Sequence, residues 1–118
     1  MTLIALNPIL QYIARWGILV LMSRREFPVY FTINNRLFTK VVIDPHYEEK
    51  HSNTITDEIV LALVAELDGK IFIPVSIDED GFQYFVNDHL ELNQKLYKLI
   101  WLMHTDEIYI GVVNAYRR

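Results

Sequence analysis

Two apolar runs, residues 94–103 and 107–115, are separated only by His104-Thr105-Asp106. A connection that short joins antiparallel strands, whereas parallel neighbours need a crossover of about a dozen residues or more. The spacing therefore predicts a hairpin, and because these are the most apolar runs in the chain, it predicts that they lie at the centre of a sheet. Alternation places Tyr97, Leu99, Trp101 and Met103 on one face and Leu96, Lys98, Ile100 and Leu102 on the other. Trp101 is read as a core aromatic ahead of a base-stacking platform, because of the apolar area it buries.

The pattern upstream is also β-rich. Val29-Tyr30-Phe31-Thr32-Ile33 and Leu37-Phe38-Thr39-Lys40-Val41-Val42-Ile43 flank Asn34-Asn35, and Asn tolerates the positive φ of a tight turn. Asp44-Pro45 then stops the second strand, since Pro45 has no amide proton for a ladder. Residues 57–68 read as a helix, with Thr56 as N-cap, Asp57 and Glu58 in the first turn, and Gly69 just past the end. Ile55 and Val60 have the spacing of a hydrophobic staple, and Ile59, Val60, Leu63, Val64 and Leu67 make one apolar stripe. Residues 70–77 and 82–86 read as strands about the turn Asp78-Glu79-Asp80-Gly81, with Pro74 marking an edge or a bulge. Residues 87–93 read as a polar connection. The expected fold is α+β: a twisted antiparallel sheet of four to six strands packed by one or two helices.

Residues 1–22 are apolar but interrupted by Asn7, Pro8, Gln11 and Arg15, and Ser23-Arg24-Arg25 follows them. A membrane span needs about 20 mainly apolar residues, and an arginine at its centre costs about 2.5–3.5 kcal/mol on insertion scales. The favoured reading is an N-terminal helix or extension over 1–22, with 23–118 as a single α+β domain; membrane attachment through 3–22 is the lesser alternative. A signal peptide fits worse, because the basic group follows the apolar run.

The 118 residues suit one domain with one core. At 52% hydrophobic and 13% aromatic residues, the composition is that of a folded globule and not of a disordered chain. Zero cysteines exclude a disulfide framework, a thiolate nucleophile and Cys-ligated zinc, and fit a cytoplasmic setting. The formal charge of -4 argues against nonspecific nucleic-acid binding by the whole surface. Its distribution is uneven: residues 1–42 hold five basic groups and one acidic (+4), 43–92 two and twelve (-10), and 93–118 four and two (+2).

Two polar clusters could carry chemistry. His46-Tyr47-Glu48-Glu49-Lys50-His51 precedes the capped helix, and an imidazole there can act as general base or acid near neutral pH. The i, i+5 spacing of His46 and His51 does not put two imidazoles on one helical face, so no metal site is expected. At the chain end, Asn114, Tyr116 and Arg118 share one strand face and Arg117 takes the other. A guanidinium can grip a phosphate bidentately, while a tyrosine can stack on a base or pass a proton. Lys50, Lys95 and Lys98 are candidate phosphate contacts, and His89 and His104 fall in expected turns. The bland alternatives are a solvated loop for the histidines and a frayed basic terminus for the arginines.

The hairpin sequence Tyr97-Lys98-Leu99-Ile100-Trp101-Leu102 and Ile108-Tyr109-Ile110-Gly111-Val112-Val113-Asn114-Ala115-Tyr116-Arg117-Arg118 follows a His-bearing segment and a helix. Over about residues 38–118 this order resembles the small ribonuclease toxins of the RelE and BrnT type. That resemblance implies cleavage of RNA by metal-independent acid/base catalysis, without a cofactor, and with an antitoxin protein as partner; DNA is not expected. By position it makes His46 or His51 the acid/base, Arg117 and Arg118 the phosphate clamp, and Tyr116 a stacking or proton-relay group. Such toxins are commonly basic, whereas this chain is acidic, and residues 1–22 have no counterpart in the pattern. The rival expectation is a noncatalytic interaction protein, antitoxin- or immunity-like, whose acidic segment 44–91 caps a basic partner.

Overall fold

The computed structural model describes residues 24–118, so the expected helix or extension over 1–22 lies outside the described residues. Six strands form one sheet: β1 (Arg25–Ile33), β2 (Arg36–Ile43), β3 (Ser76–Ile77), β4 (Phe82–Leu92), β5 (Lys95–His104) and β6 (Tyr109–Arg117). Their spatial order is β1-β2-β6-β5-β4-β3. The two apolar runs do lie at the centre, as β5 and β6. A 3-10 turn (Pro45–Tyr47) and the short helix α1 (Glu48–His51) follow β2, and α2 (Asp57–Ala65) completes the α+β arrangement.

The expectation of a wholly antiparallel sheet is corrected at one seam. β2 runs parallel to β6, with Lys40–Ile43 opposite Tyr109–Val112. The first hairpin and the meander β3-β4-β5-β6 are each antiparallel, but the segment carrying both helices joins them as a crossover, which permits parallel pairing. Helical patterns between strands carried that signal.

Turn chemistry sets the registers. Asn34 and Asn35 adopt φ 54° and 60°, and Asn93 and Gln94 adopt 53° and 66°, so two-residue turns with both centres left-handed close the β1–β2 and β4–β5 hairpins. The second pair corrects the polar connection expected over 87–93: β4 runs on to Leu92 despite Asn87, Asp88 and His89. A bulge between Asn87 and Leu90 absorbs two of those polar residues. The strand expected over 70–77 is also shorter, with ladder pairing confined to Ser76 and Ile77. Residues 70–75 are held differently. Asn34 Nδ2 donates to the Phe72 carbonyl at 3.0 Å, and the Phe72 N–H donates to Asn34 Oδ1 at 2.6 Å.

The core lies between one face of the sheet and the helical segment. Phe38, Val41, Tyr97, Leu99, Trp101, Met103, Ile110, Val112 and Ala115 pack with Ile55, Val60, Leu63, Val64 and Leu67. The expected β5 face is thus the buried one. Trp101 is fully buried, stacks on Phe85 at 4.0 Å, and donates from Nε1 to Asn87 Oδ1 at 2.7 Å, so its single polar atom is satisfied. Thr56 caps α2 by accepting from the Ile59 N–H at 3.2 Å, and Gly69 takes φ 79° where the chain leaves the helical region.

Candidate functional site at the end of β6

Pairing of β2 with β6 stops at Val112 because Asp44-Pro45 ends β2. Asp44 is fully buried; its N–H donates to the Val112 carbonyl at 3.1 Å, and its Oδ1 accepts from the His46 N–H at 2.9 Å. This bracket starts the 3-10 turn and sets α1 beside the last residues of β6.

The consequence is a stack. The His51 imidazole lies on the Tyr116 ring with centroids 5.0 Å apart and planes inclined by 25°. Lys98 is the cross-strand partner of Tyr116, and its Nζ sits 5.7 Å from the centroid of the same ring. A bulge between Ile100 and Trp101 shifts the β5–β6 register by one residue, and beyond it Asn114 and Tyr116 face Ile100 and Lys98. The chain end is anchored: Arg117 pairs with Tyr97, and the Arg118 N–H donates to the Leu96 carbonyl at 2.8 Å. The frayed-terminus alternative is therefore excluded for the backbone.

Asp88, carried by the β4 bulge, gathers the nearby cations. Its Oδ1 lies 3.3 Å from Arg118 Nε and 4.0 Å from Lys98 Nζ, and its Oδ2 lies 3.9 Å from His89 Nδ1. Oδ1 is buried and accepts no hydrogen bond among the described residues, so attraction of charge alone holds it.

The expected site residues divide accordingly. His51 and Lys98 both meet the Tyr116 ring, and Asp88 joins Lys98 to Arg118. His46 instead faces Glu49, with Nδ1 3.4 Å from Oε2. Asn114 Oδ1 accepts from the Ala115 N–H at 2.9 Å, while Lys50, Lys95 and Arg117 are exposed. His51 reaches the terminal cluster through Tyr116 and not through either arginine.

A second network was not anticipated. Arg25 Nε donates to Asp57 Oδ2 at 2.6 Å, Arg25 Nη2 donates to Glu48 Oε1 at 2.6 Å and to Asp57 Oδ1 at 3.0 Å, and the Tyr47 hydroxyl donates to Asp57 Oδ1 at 2.6 Å. Burial pushes the Asp57 carboxyl up, but hydrogen bonds from Arg25 and Tyr47 and the Arg25 charge outweigh it and hold the group below its ordinary value. The Tyr47 hydroxyl is pushed up to about 12, first by burial and then by the Asp57 carboxylate that accepts its hydrogen bond. Asp57 was legible as a first-turn acid of α2, but Arg25 lies 32 residues away and no local pattern links the two. Asp88 was missed because its polar surroundings read as a connection.

Among the described residues no group of three or more His, Asp or Glu could hold a metal ion, and no helix is long and apolar enough to cross a membrane. No protein-family model matches the chain, and neither curated proteins nor solved structures give a match.

Proposed function

We propose that the chain is an endoribonuclease of toxin type that cleaves RNA by acid/base chemistry at the β6 terminus. The observation that carries this reading is the imidazole of His51 stacked on Tyr116, with Lys98 over the same ring and Arg118 tied to the cluster through Asp88. The strand end thus offers a base beside a hydroxyl-bearing ring, one cation over that ring and a second cation joined to the first through Asp88. His51 takes the proton from a ribose 2′-hydroxyl, whose oxygen attacks the adjacent phosphorus. The P–O5′ bond breaks, a 2′,3′-cyclic phosphate forms, and Tyr116 returns a proton to O5′. Lys98 and Arg118 stabilise the charge that builds on the phosphate oxygens, with Arg117 and Lys95 steering the flanking backbone. His46, turned toward Glu49, stays outside the reacting centre. An antitoxin protein is the cognate partner in this reading, and the setting is cytoplasmic.

The test is cleavage of a mixed-sequence single-stranded RNA in EDTA by the full chain beside His51→Ala, His46→Ala and Arg117→Ala/Arg118→Ala. Cleavage by the parent chain that is lost with His51→Ala and kept with His46→Ala supports the assignment. Intact RNA with every chain folded rejects free-RNA cleavage.

A second reading, a noncatalytic protein that caps a basic partner, is favoured by one feature: Asp88 already occupies Lys98 and Arg118, and segment 43–92 sums to -10 (two basic, twelve acidic). It requires binding to a cationic protein that is unaffected by His51→Ala.

A further inference from the structure

One polar group at the end of β6 is left over by the mechanism above. Asn114 and Tyr116 pair with Ile100 and Lys98 of β5, so they lie two residues apart on one strand face, about 6–7 Å from each other. The Asn114 carboxamide is fixed in one orientation. Its Oδ1 accepts from the Ala115 N–H at 2.9 Å, and a backbone N–H can bond only the oxygen end of an amide. Nδ2 is the free end. It makes no hydrogen bond among the described residues and, unlike Asp88 Oδ1, it is not buried. The pairing of β2 with β6 ends at Val112, so among the described residues no strand flanks Asn114 on that side.

An amide held this way presents N–H donors outward, and a donor distinguishes bases by the exocyclic group they carry. Uracil and guanine carry a carbonyl oxygen, whereas cytosine and adenine carry an amino group that itself donates. Two donors set against each other leave both unpaired, which opposes binding. Resting on the ribonuclease reading, we infer that Asn114 selects keto bases, uracil and guanine, in the nucleotide whose 2′-hydroxyl His51 deprotonates. His51 stacks on Tyr116, and Asn114 is the preceding position on the same face, so the ribose and base of a single nucleotide span the two. Phosphate at Lys98 and Arg118, ribose at Tyr116 and base at Asn114 then follow one another along one end of the strand. Single-stranded RNA is suited to this arrangement, because its unstacked bases expose their hydrogen-bonding edges.

The test uses short 2′-O-methyl RNA strands that each hold a single unmodified nucleotide: uridine, guanosine, cytidine or adenosine. Only one 2′-hydroxyl can then attack, and the base being read is known. The full chain should cleave at uridine and guanosine about tenfold faster than at cytidine and adenosine, the size of one mispaired hydrogen bond. Asn114→Asp keeps an oxygen for the Ala115 N–H and replaces the outward donor with an acceptor, so it should invert the order whatever its effect on the overall rate. Asn114→Ala should level the four rates. Equal cleavage of all four strands by the parent chain overturns the inference and leaves the ribonuclease reading standing. So does a preference that both variants retain. Four intact strands remove the ribonuclease reading, and the inference with it.

Discussion

The segment between β2 and α2 builds a polar cluster on each side of itself, and the two differ in how completely their groups are satisfied. On one side Arg25, Glu48, Tyr47 and Asp57 are locked by four hydrogen bonds of 2.6 to 3.0 Å. On the other, His51, Tyr116, Lys98, Asp88 and Arg118 meet through ring contacts and ion pairs of 3.3 and 4.0 Å. Residue types alone would not separate them, since both hold a tyrosine, an arginine and an aspartate. Saturation does. A guanidinium and a phenol that share one carboxylate have little capacity left for a ligand, whereas looser contacts leave donors that a phosphate can claim. The first cluster is read as a clamp joining β1 to both helices, and the second as the reactive end.

The sharpest way to break this contrast is to remove one group from each side. His51→Ala should lower RNA cleavage by about 100-fold or more, the ordinary size of a lost general acid–base, with the thermal midpoint nearly unchanged. Asp57→Ala should do the opposite. It strands the Tyr47 hydroxyl and the Arg25 guanidinium in a partly buried site, and should cost about 1–3 kcal/mol in urea unfolding while the residual folded protein cleaves normally. Loss of activity in Asp57→Ala at a temperature where it is fully folded would dissolve the distinction between clamp and site.

The clamp also predicts how stability depends on pH. Asp57 sits below its ordinary value when folded, so its contribution is present above the usual carboxylate range and fades as pH falls through that range to the folded value. Tyr47 is raised from 10.0 to about 12, so its contribution is complete below pH 10 and is lost as pH climbs toward 12. Tyr47→Phe should therefore flatten, but not abolish, the alkaline limb of the stability curve; Tyr84 and Tyr109 are raised as well, each chiefly by burial, and keep part of it. At neutral pH the same substitution removes one hydrogen bond, for about 1 kcal/mol. An alkaline limb identical in parent and variant would show that Tyr47 ionises as freely folded as unfolded.

Local signals in the sequence located most elements. The Asn34-Asn35 turn, the stop at Asp44-Pro45, the Thr56 cap and the alternation through Trp101 each act within a few residues, and each appears where expected. Long-range pairing was not legible in the same way. Whether β2 lies beside β6 depends on which strands compete for the centre of the sheet, and the parallel seam follows from that competition. At the site, the strand face holding Asn114 and Tyr116 was readable, because a period of two survives beyond the bulge. Which of His46 and His51 would meet Tyr116 was not readable. What chose His51 over His46 was the Asp44 bracket on the turn, a buried carboxylate that reads in sequence as nothing more than a strand terminator.

Asp88 offers the smallest stability change and the finest test of the reactive end. Its ion pairs with Lys98 and Arg118 join side chains that are partly exposed, and pairs of that kind contribute about 0–1 kcal/mol. Asp88→Asn should thus move the unfolding midpoint very little. Its effect on RNA should be larger, since it removes a negative charge and releases two cations toward the phosphates. Binding of a single-stranded RNA by the His51→Ala/Asp88→Asn double variant, which reports affinity without cleavage, should be tighter than that of His51→Ala alone. Released cations that contact phosphate must also steepen the dependence of log affinity on log salt, by up to about 0.7 for each new contact on a single strand. Tighter binding with no change in that slope would mean that Asp88 acted by repulsion at a distance, and would leave Lys98 and Arg118 in the clamp class instead of the reactive one.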